Sequence, residues 1–154
     1  MYRSGKLLWK GFLAMNRLDE FIDQLQEEIF DDARQALGEK GFDRWRNPKF
    51  QGKMENPDGW SHVTGSCGDT MEIYLKFQNG RVHKASYFTT GCASSQICGS
   101  FTAQLTFGKT PEDVADITAE DVLNAVGQLP KEDTHCTTLA AGALQEALSD
   151  YMSR

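Results

Sequence analysis

The chain has 154 residues, of which 22 are acidic and 16 basic, for a formal charge of −6, and 40% are hydrophobic. That is enough for one domain with a sizeable core, while no apolar run approaches the roughly 20 residues of a membrane helix. The acidic balance excludes a concentrated basic nucleic-acid surface. Four cysteines without a secretory signal point to thiol or metal chemistry in a reducing compartment rather than to a disulfide scaffold.

Residues 1–17 hold Arg3, Lys6, Lys10 and Arg17 and no acid, a local charge of +4 that leaves −10 over residues 18–154. A basic, acid-poor start fits a mitochondrial transit peptide as the minor alternative. A single Ser and a second methionine, Met15, favour an upstream extension, disordered or weakly helical, on a cytoplasmic protein. The remainder, 18–154, reads as one domain.

From Leu18 the apolar residues fall at Leu18, Phe21, Ile22, Leu25, Ile29, Ala33, Ala36 and Leu37, the spacing of one helix face, with Gly38 as its stop. This face is expected to pack on the domain. Residues 38–66 are rich in turn formers (Asn47-Pro48, Asn56-Pro57, Asp58-Gly59) and predict a long surface segment. Met71 to Phe77 alternates strictly, as a half-buried strand does, and Asn79-Gly80 is a hairpin signal returning a second strand from Val82 to Thr89. Helices are predicted from Ser94 to Phe107, after Thr110-Pro111, after Thr118, and from about Asp133 or Thr134, the last burying Leu139, Ala143, Leu144, Ala147, Leu148 and Tyr151. The class is α+β: a short antiparallel sheet packed against several helices.

The chemistry concentrates at element junctions. Cys67 lies in Gly65-Ser66-Cys67-Gly68-Asp69, before the first strand. Cys92 follows Gly91 between strand and helix, and Cys136 follows His135 in the first turn of the last helix. Thiolates bind soft metals, and the imidazole and carboxylate add nitrogen and oxygen donors. Cys67 and Asp69 share one side of an extended segment, and a helix N-terminus favours an ionised Cys136. No Cys-x-x-Cys pair is present, so a metal site and inert buried cysteines both stay open on residue types alone. Cys98, six residues after Cys92, should diverge from it around a helix and reads as a small core residue. His62 and His83 neighbour no candidate ligand in sequence, and Trp45 and Trp60 read as packing residues.

Taken in order, Asn56-Pro57-Asp58-Gly59, Gly65-Ser66-Cys67-Gly68-Asp69, Thr90-Gly91-Cys92-Ala93-Ser94-Ser95, Gly108-Lys109-Thr110, Leu129-Pro130 and His135-Cys136 resemble the iron–sulfur cluster assembly scaffold family of IscU and the N-terminal domain of NifU, over roughly residues 29–151. The resemblance implies a non-enzymatic scaffold that builds a transient [2Fe–2S] cluster from iron and desulfurase-derived sulfur and passes it to apo-proteins. It implies metal ligation by Cys67, Asp69, Cys92 and Cys136, with His135 as an alternative ligand and Cys136 as the main sulfur acceptor. The implied partners are a cysteine desulfurase and apo iron–sulfur acceptors, with the chain a monomer or dimer. Leu129-Pro130-Lys131-Glu132-Asp133 stands where the bacterial IscU type carries its chaperone motif Leu-Pro-Pro-Val-Lys, so a dedicated Hsp70 is not implied. The alternative is a zinc-bound sulfur acceptor that stimulates a desulfurase, with Zn2+ in the cluster-free form on the same residues. The long insertion of the SufU type is missing, which counts against that alternative.

Overall fold

The computed structural model describes the backbone of residues 2–154 and the side chains of residues 15–154. It divides into two compact units, residues 1–35 and residues 36–154. Helix α1 (Tyr2–Arg46) runs through both, and its helical course is broken at Gly38, whose φ of 74° and ψ of 167° suit only a residue without a Cβ. The expected stop is therefore a break, and helix resumes to Arg46. The side chains of the basic stretch before Met15 lie outside the described residues.

The first unit is helix alone. Its apolar stripe, expected to be packed, is exposed at Leu18, Phe21, Ile22, Leu25 and Ile29. Within that unit no second element exists to cover it.

The second unit is built on a three-stranded antiparallel sheet in the order β1-β2-β3: β1 (Gly59–Thr64), β2 (Thr70–Gln78) and β3 (Arg81–Thr89). The β2–β3 hairpin closes at Asn79 and Gly80, both at positive φ, as a two-residue turn requires. Strand β1 falls inside the segment expected to be loop. It pairs with β2 from Gly59↔Leu75 to Thr64↔Thr70. Its sequence lacks a large-apolar alternation because a helix crosses it closely: a Cβ on Gly59 would collide with the Ala147 carbonyl.

Four further helices complete the unit: α2 (Ala93–Thr106), α3 (Pro111–Ala115), α4 (Ala119–Val126) and α5 (His135–Ser153). Thr110 caps α3 with Pro111 at its first position, and Thr118 and Asp121 close a capping box on α4. α2 and α5 pack against each other and onto the sheet, α2 on β3 and α5 on β1 and β2. Between them Met71, Ile73, Leu75, Tyr87, Ile97 and Leu144 are fully buried. The approach of α2 is close because Gly99 faces the sheet, where a Cβ would lie 2.5 Å from Tyr87 Cδ2.

β2 differs from its expected half-buried character, since Glu72 and Tyr74 on its other face are buried too. Tyr74 Oη donates to Glu72 Oε2 at 2.9 Å, His62 Nδ1 meets Glu72 Oε1 at 2.9 Å, and Lys53 Nζ lies 3.6 Å from Oε2. A buried carboxylate is tolerable only when so partnered. His62 is thereby explained as part of the sheet. Residues 50–52 cover the outer edge of β3 through hydrogen bonds to Tyr87 in both directions.

Candidate functional site

The junctions that carry Cys67, Cys92 and Cys136 meet at one end of the sheet, and short polar residues hold them in register. A tight turn runs from Gly65 to Asp69: Gly65 N–H donates to Asp69 O at 2.8 Å, and Gly68 adopts φ 88°. This leaves Cys67 exposed at the tip and turns the half-buried Asp69 carboxylate inward. The hydroxyls of Thr70 and Thr90 lie 2.9 Å apart, and Thr89 Oγ1 donates to Thr70 O at 2.6 Å, so the first junction is tied to the second. Ser94 Oγ donates to Asp133 Oδ2 at 2.8 Å, tying the second to the 3₁₀ turn Lys131–Asp133 that leads into α5.

Ser95 sits at the centre, fully buried. Its Oγ lies 3.3 Å from Asp69 Oδ2 and 3.4 Å from Cys136 Sγ. A hydroxyl has one hydrogen and can also accept. With the hydrogen given to Asp69, Ser95 accepts from the Cys136 thiol, giving a chain from thiol to hydroxyl to carboxylate. Gly91 makes room for it, because a Cβ there would lie 2.6 Å from Ser95 Oγ and 2.8 Å from Asp69 Oδ2. The exposed His135 places Nε2 3.8 Å from Cys136 Sγ.

The four thiols divide sharply. Cys67 and Cys92 are exposed, whereas Cys98 and Cys136 are fully buried. Burial pushes the Cys136 thiol up to about 11. The Ser95 hydrogen bond opposes that rise, and Cys92, Asp133 and Cys67 reinforce it. The expected favouring of an ionised Cys136 by the helix start is thus outweighed by desolvation. Cys98 is raised further, by burial first and then by Cys136 and Cys92. Its place in the core agrees with expectation, with Cys92 exposed and Cys98 fully buried on the same helix start.

The donor set is thus soft thiols with one carboxylate and one imidazole, a combination suited to iron or zinc. Among the described residues, no three His, Cys, Asp or Glu side chains are drawn together tightly enough to hold a metal ion as they stand. His83 is exposed on β3, away from these groups. Ser95, Thr90 and Asp133 carry no role in the sequence reading. The one signal for Ser95 was its place in the Gly91-Cys92-Ala93-Ser94-Ser95 run, where a small hydroxyl enters the first turn of a helix.

Residues 37–154 match the family model described as NifU-like N terminal domain. The chain belongs to this family. It is 39% identical over 117 residues to the iron–sulfur cluster assembly scaffold protein IscU 1 of Archaeoglobus fulgidus, covering 75% of this chain and 76% of that protein. It is 31% identical over 124 residues to the scaffold protein IscU of Escherichia coli, covering 77% of this chain and 96% of that one. Among solved structures, the N-terminal NifU-like protein of Brucella abortus superposes with a TM-score of 0.64 at 17% identity, over 79% of this chain and 98% of that one. A putative scaffold protein for the SUF system from Fervidobacterium islandicum gives 0.61 at 22% identity, over 75% and 98%. At such identities the two structures show the shared fold. The NifU-N-like α+β fold expected from the sequence is the fold observed. No helix among the described residues is long and apolar enough to cross a membrane.

Proposed function

We propose that this member of the NifU N-terminal family is a cytoplasmic, non-enzymatic scaffold on which a [2Fe–2S] cluster is assembled and from which it passes to acceptor proteins. Cys67, Asp69, Cys92 and Cys136 hold the cargo, with His135 as the alternative to one of them. The observation that carries this reading is the meeting of three junctions around Ser95, which links the Asp69 carboxylate to the Cys136 thiol with Cys67 and Cys92 in electrostatic reach. The curated relatives named as cluster scaffolds support it. A sulfur donor, a cysteine desulfurase by this reading, meets the exposed Cys67 and Cys92 directly. Sulfur transfer to Cys136, the main acceptor implied by the resemblance, requires the first turn of α5 to lift, because a thiol reacts as an accessible thiolate.

Anaerobic reconstitution with ferric iron and sulfide, read by visible absorption and by counting iron and sulfide per chain, tests the reading. Equal iron and inorganic sulfide, lost in Cys67→Ser, Cys92→Ser and Cys136→Ser but kept in Cys98→Ser, is the expected result. Stimulation of a desulfurase by a zinc-loaded chain that never takes up sulfide and iron together would replace this reading with that of a sulfur acceptor.

A further inference from the structure

Cys136 is fully buried, yet the chain that leads to it is not anchored by burial. From Gly127 to His135 every side chain is exposed or half-buried, and buried residues resume only with Cys136, Thr137, Leu139 and Ala140. The start of α5 is also the least secured of the later helices. Thr110 and Thr118 cap α3 and α4 with side-chain hydrogen bonds, whereas Thr134, in the same position on α5, makes none. The backbone hydrogen bonds of Asp133 and Thr134 stay within the turn, to Pro130 and Lys131. Among the described residues, one hydrogen bond ties the side chains of residues 129–135 to another element. It is the bond from Ser94 Oγ, on α2, to Asp133 Oδ2 at 2.8 Å. Ser94 itself is immobilised, with 2% of its surface exposed.

We propose that Ser94 and Asp133 are positioning residues that latch Cys136: their hydrogen bond holds the turn Lys131–Asp133 and the first turn of α5 over the thiol, and its release uncovers Cys136 while the rest of α5 stays packed. The division is set by packing. Beyond the first turn, Leu139, Ala140, Ala143 and Leu144 are buried and fix the helix, so the part free to lift is short. Local opening of a segment with few buried contacts lies well below global unfolding in free energy. As a control on when Cys136 can accept sulfur, the latch rests on the scaffold reading. As a control on access to the thiol it does not, and it is tested on the metal-free chain, where cluster uptake plays no part.

The full-length protein is followed at neutral pH in two ways: by iodoacetamide alkylation of Cys136, read by peptide mass spectrometry, and by hydrogen exchange of the amides of residues 137–140. Below the unfolding transition, both rates should be nearly independent of urea, while the amides of Ile73 and Leu75, in the core of β2, respond steeply. Ser94→Ala changes no charge and should raise both rates about fivefold. Asp133→Ala should raise the exchange rates by the same factor, and the double variant no further than either single one, because both remove one bond. Gly99→Ala is the companion variant. It weakens packing of α2 on the sheet that the open form keeps, so it should speed exchange at Ile73 and Leu75 and leave Cys136 at the parental rate. Cys136 alkylation that follows urea as steeply as exchange of the β2 amides, or that rises with them in Gly99→Ala, would mean that the thiol is reached only by global unfolding and would overturn the proposal. Parental rates in Ser94→Ala, or multiplied effects in the double variant, would overturn it as well. None of these results alters cluster uptake by the parent chain, so the latch and the scaffold reading fail separately.

Discussion

Cys136 and Asp69 compete for one hydroxyl hydrogen, that of Ser95. While the thiol is protonated, Ser95 gives its hydrogen to Asp69 and accepts from sulfur. Once the thiol ionises, the hydrogen is better spent on the thiolate, and the carboxylate is released to bind elsewhere. Alkylation of Cys136 by a small neutral reagent should therefore rise about tenfold per pH unit through the alkaline range and level off near its shifted value of about 11. Site-resolved mass spectrometry over pH 7 to about 11 checks this, and a plateau near 9 would contradict it. Its contribution to stability follows the same shift. The folded chain holds the proton more tightly than the unfolded chain, so this contribution is complete below the ordinary value of 9.0 and is lost as pH rises toward about 11. On the proposed function, Asp69→Ala replaces a hard, weakly held ligand position and should slow release of a reconstituted cluster to an apo-ferredoxin by about tenfold. Transfer followed by visible circular dichroism measures it, and transfer at the parental rate removes that role from Asp69.

At the scale of elements, close approach of helix to sheet brings the junctions together. Gly99 lets α2 settle on Tyr87 of β3, and that contact sets where Cys92 and Ser95 emerge. Gly99→Ala should destabilise the fold by about 2 kcal/mol through overpacking against a fully buried ring; urea unfolding followed by far-ultraviolet circular dichroism reads it. The other face of the sheet is held by Glu72. Burial works against its charge, but the hydrogen bonds from His62 and Tyr74 and the charge of Lys53 outweigh burial and hold its carboxyl below the ordinary value. The converse is seen at Tyr74, which burial and the neighbouring carboxylate raise to about 12. Glu72→Gln should cost about 1–2 kcal/mol near neutral pH. Because the folded value is lowered, the stability Glu72 contributes is present above 4.5 and disappears as pH falls through the folded value. The difference between parent and variant in urea melts should narrow accordingly in acid.

For the whole molecule, the family match from residue 37 and the compact unit from Ala36 onward coincide. Among the described residues, every buried core side chain belongs to that second unit. A chain beginning at Ala36 should therefore fold, melt cooperatively within about 3 °C of the full-length protein, and retain the alkylation pattern of its four cysteines. Differential scanning calorimetry and thiol mapping decide this, and loss of cooperative melting would show that residues 1–35 are required for the fold.

The sequence by itself determined the β2–β3 hairpin, the capped starts of α3 and α4, and the spacing of Cys67, Asp69, Cys92 and Cys136 that carries the family resemblance. Each depends on local chemistry: alternation with an Asn-Gly turn, a threonine hydroxyl capping a helix, a motif read in order. Only the tertiary structure decided that Gly59 to Thr64 is a strand, since its small residues make sense only beneath α5. The same holds for the buried Glu72, two of whose partners, His62 and Lys53, come from β1 and the loop before it. It holds also for the division of the thiols into exposed and buried pairs. Burial is a property of what other elements place around a side chain, and a helix start that favours a thiolate locally loses to desolvation once the sheet and α2 close over Cys136.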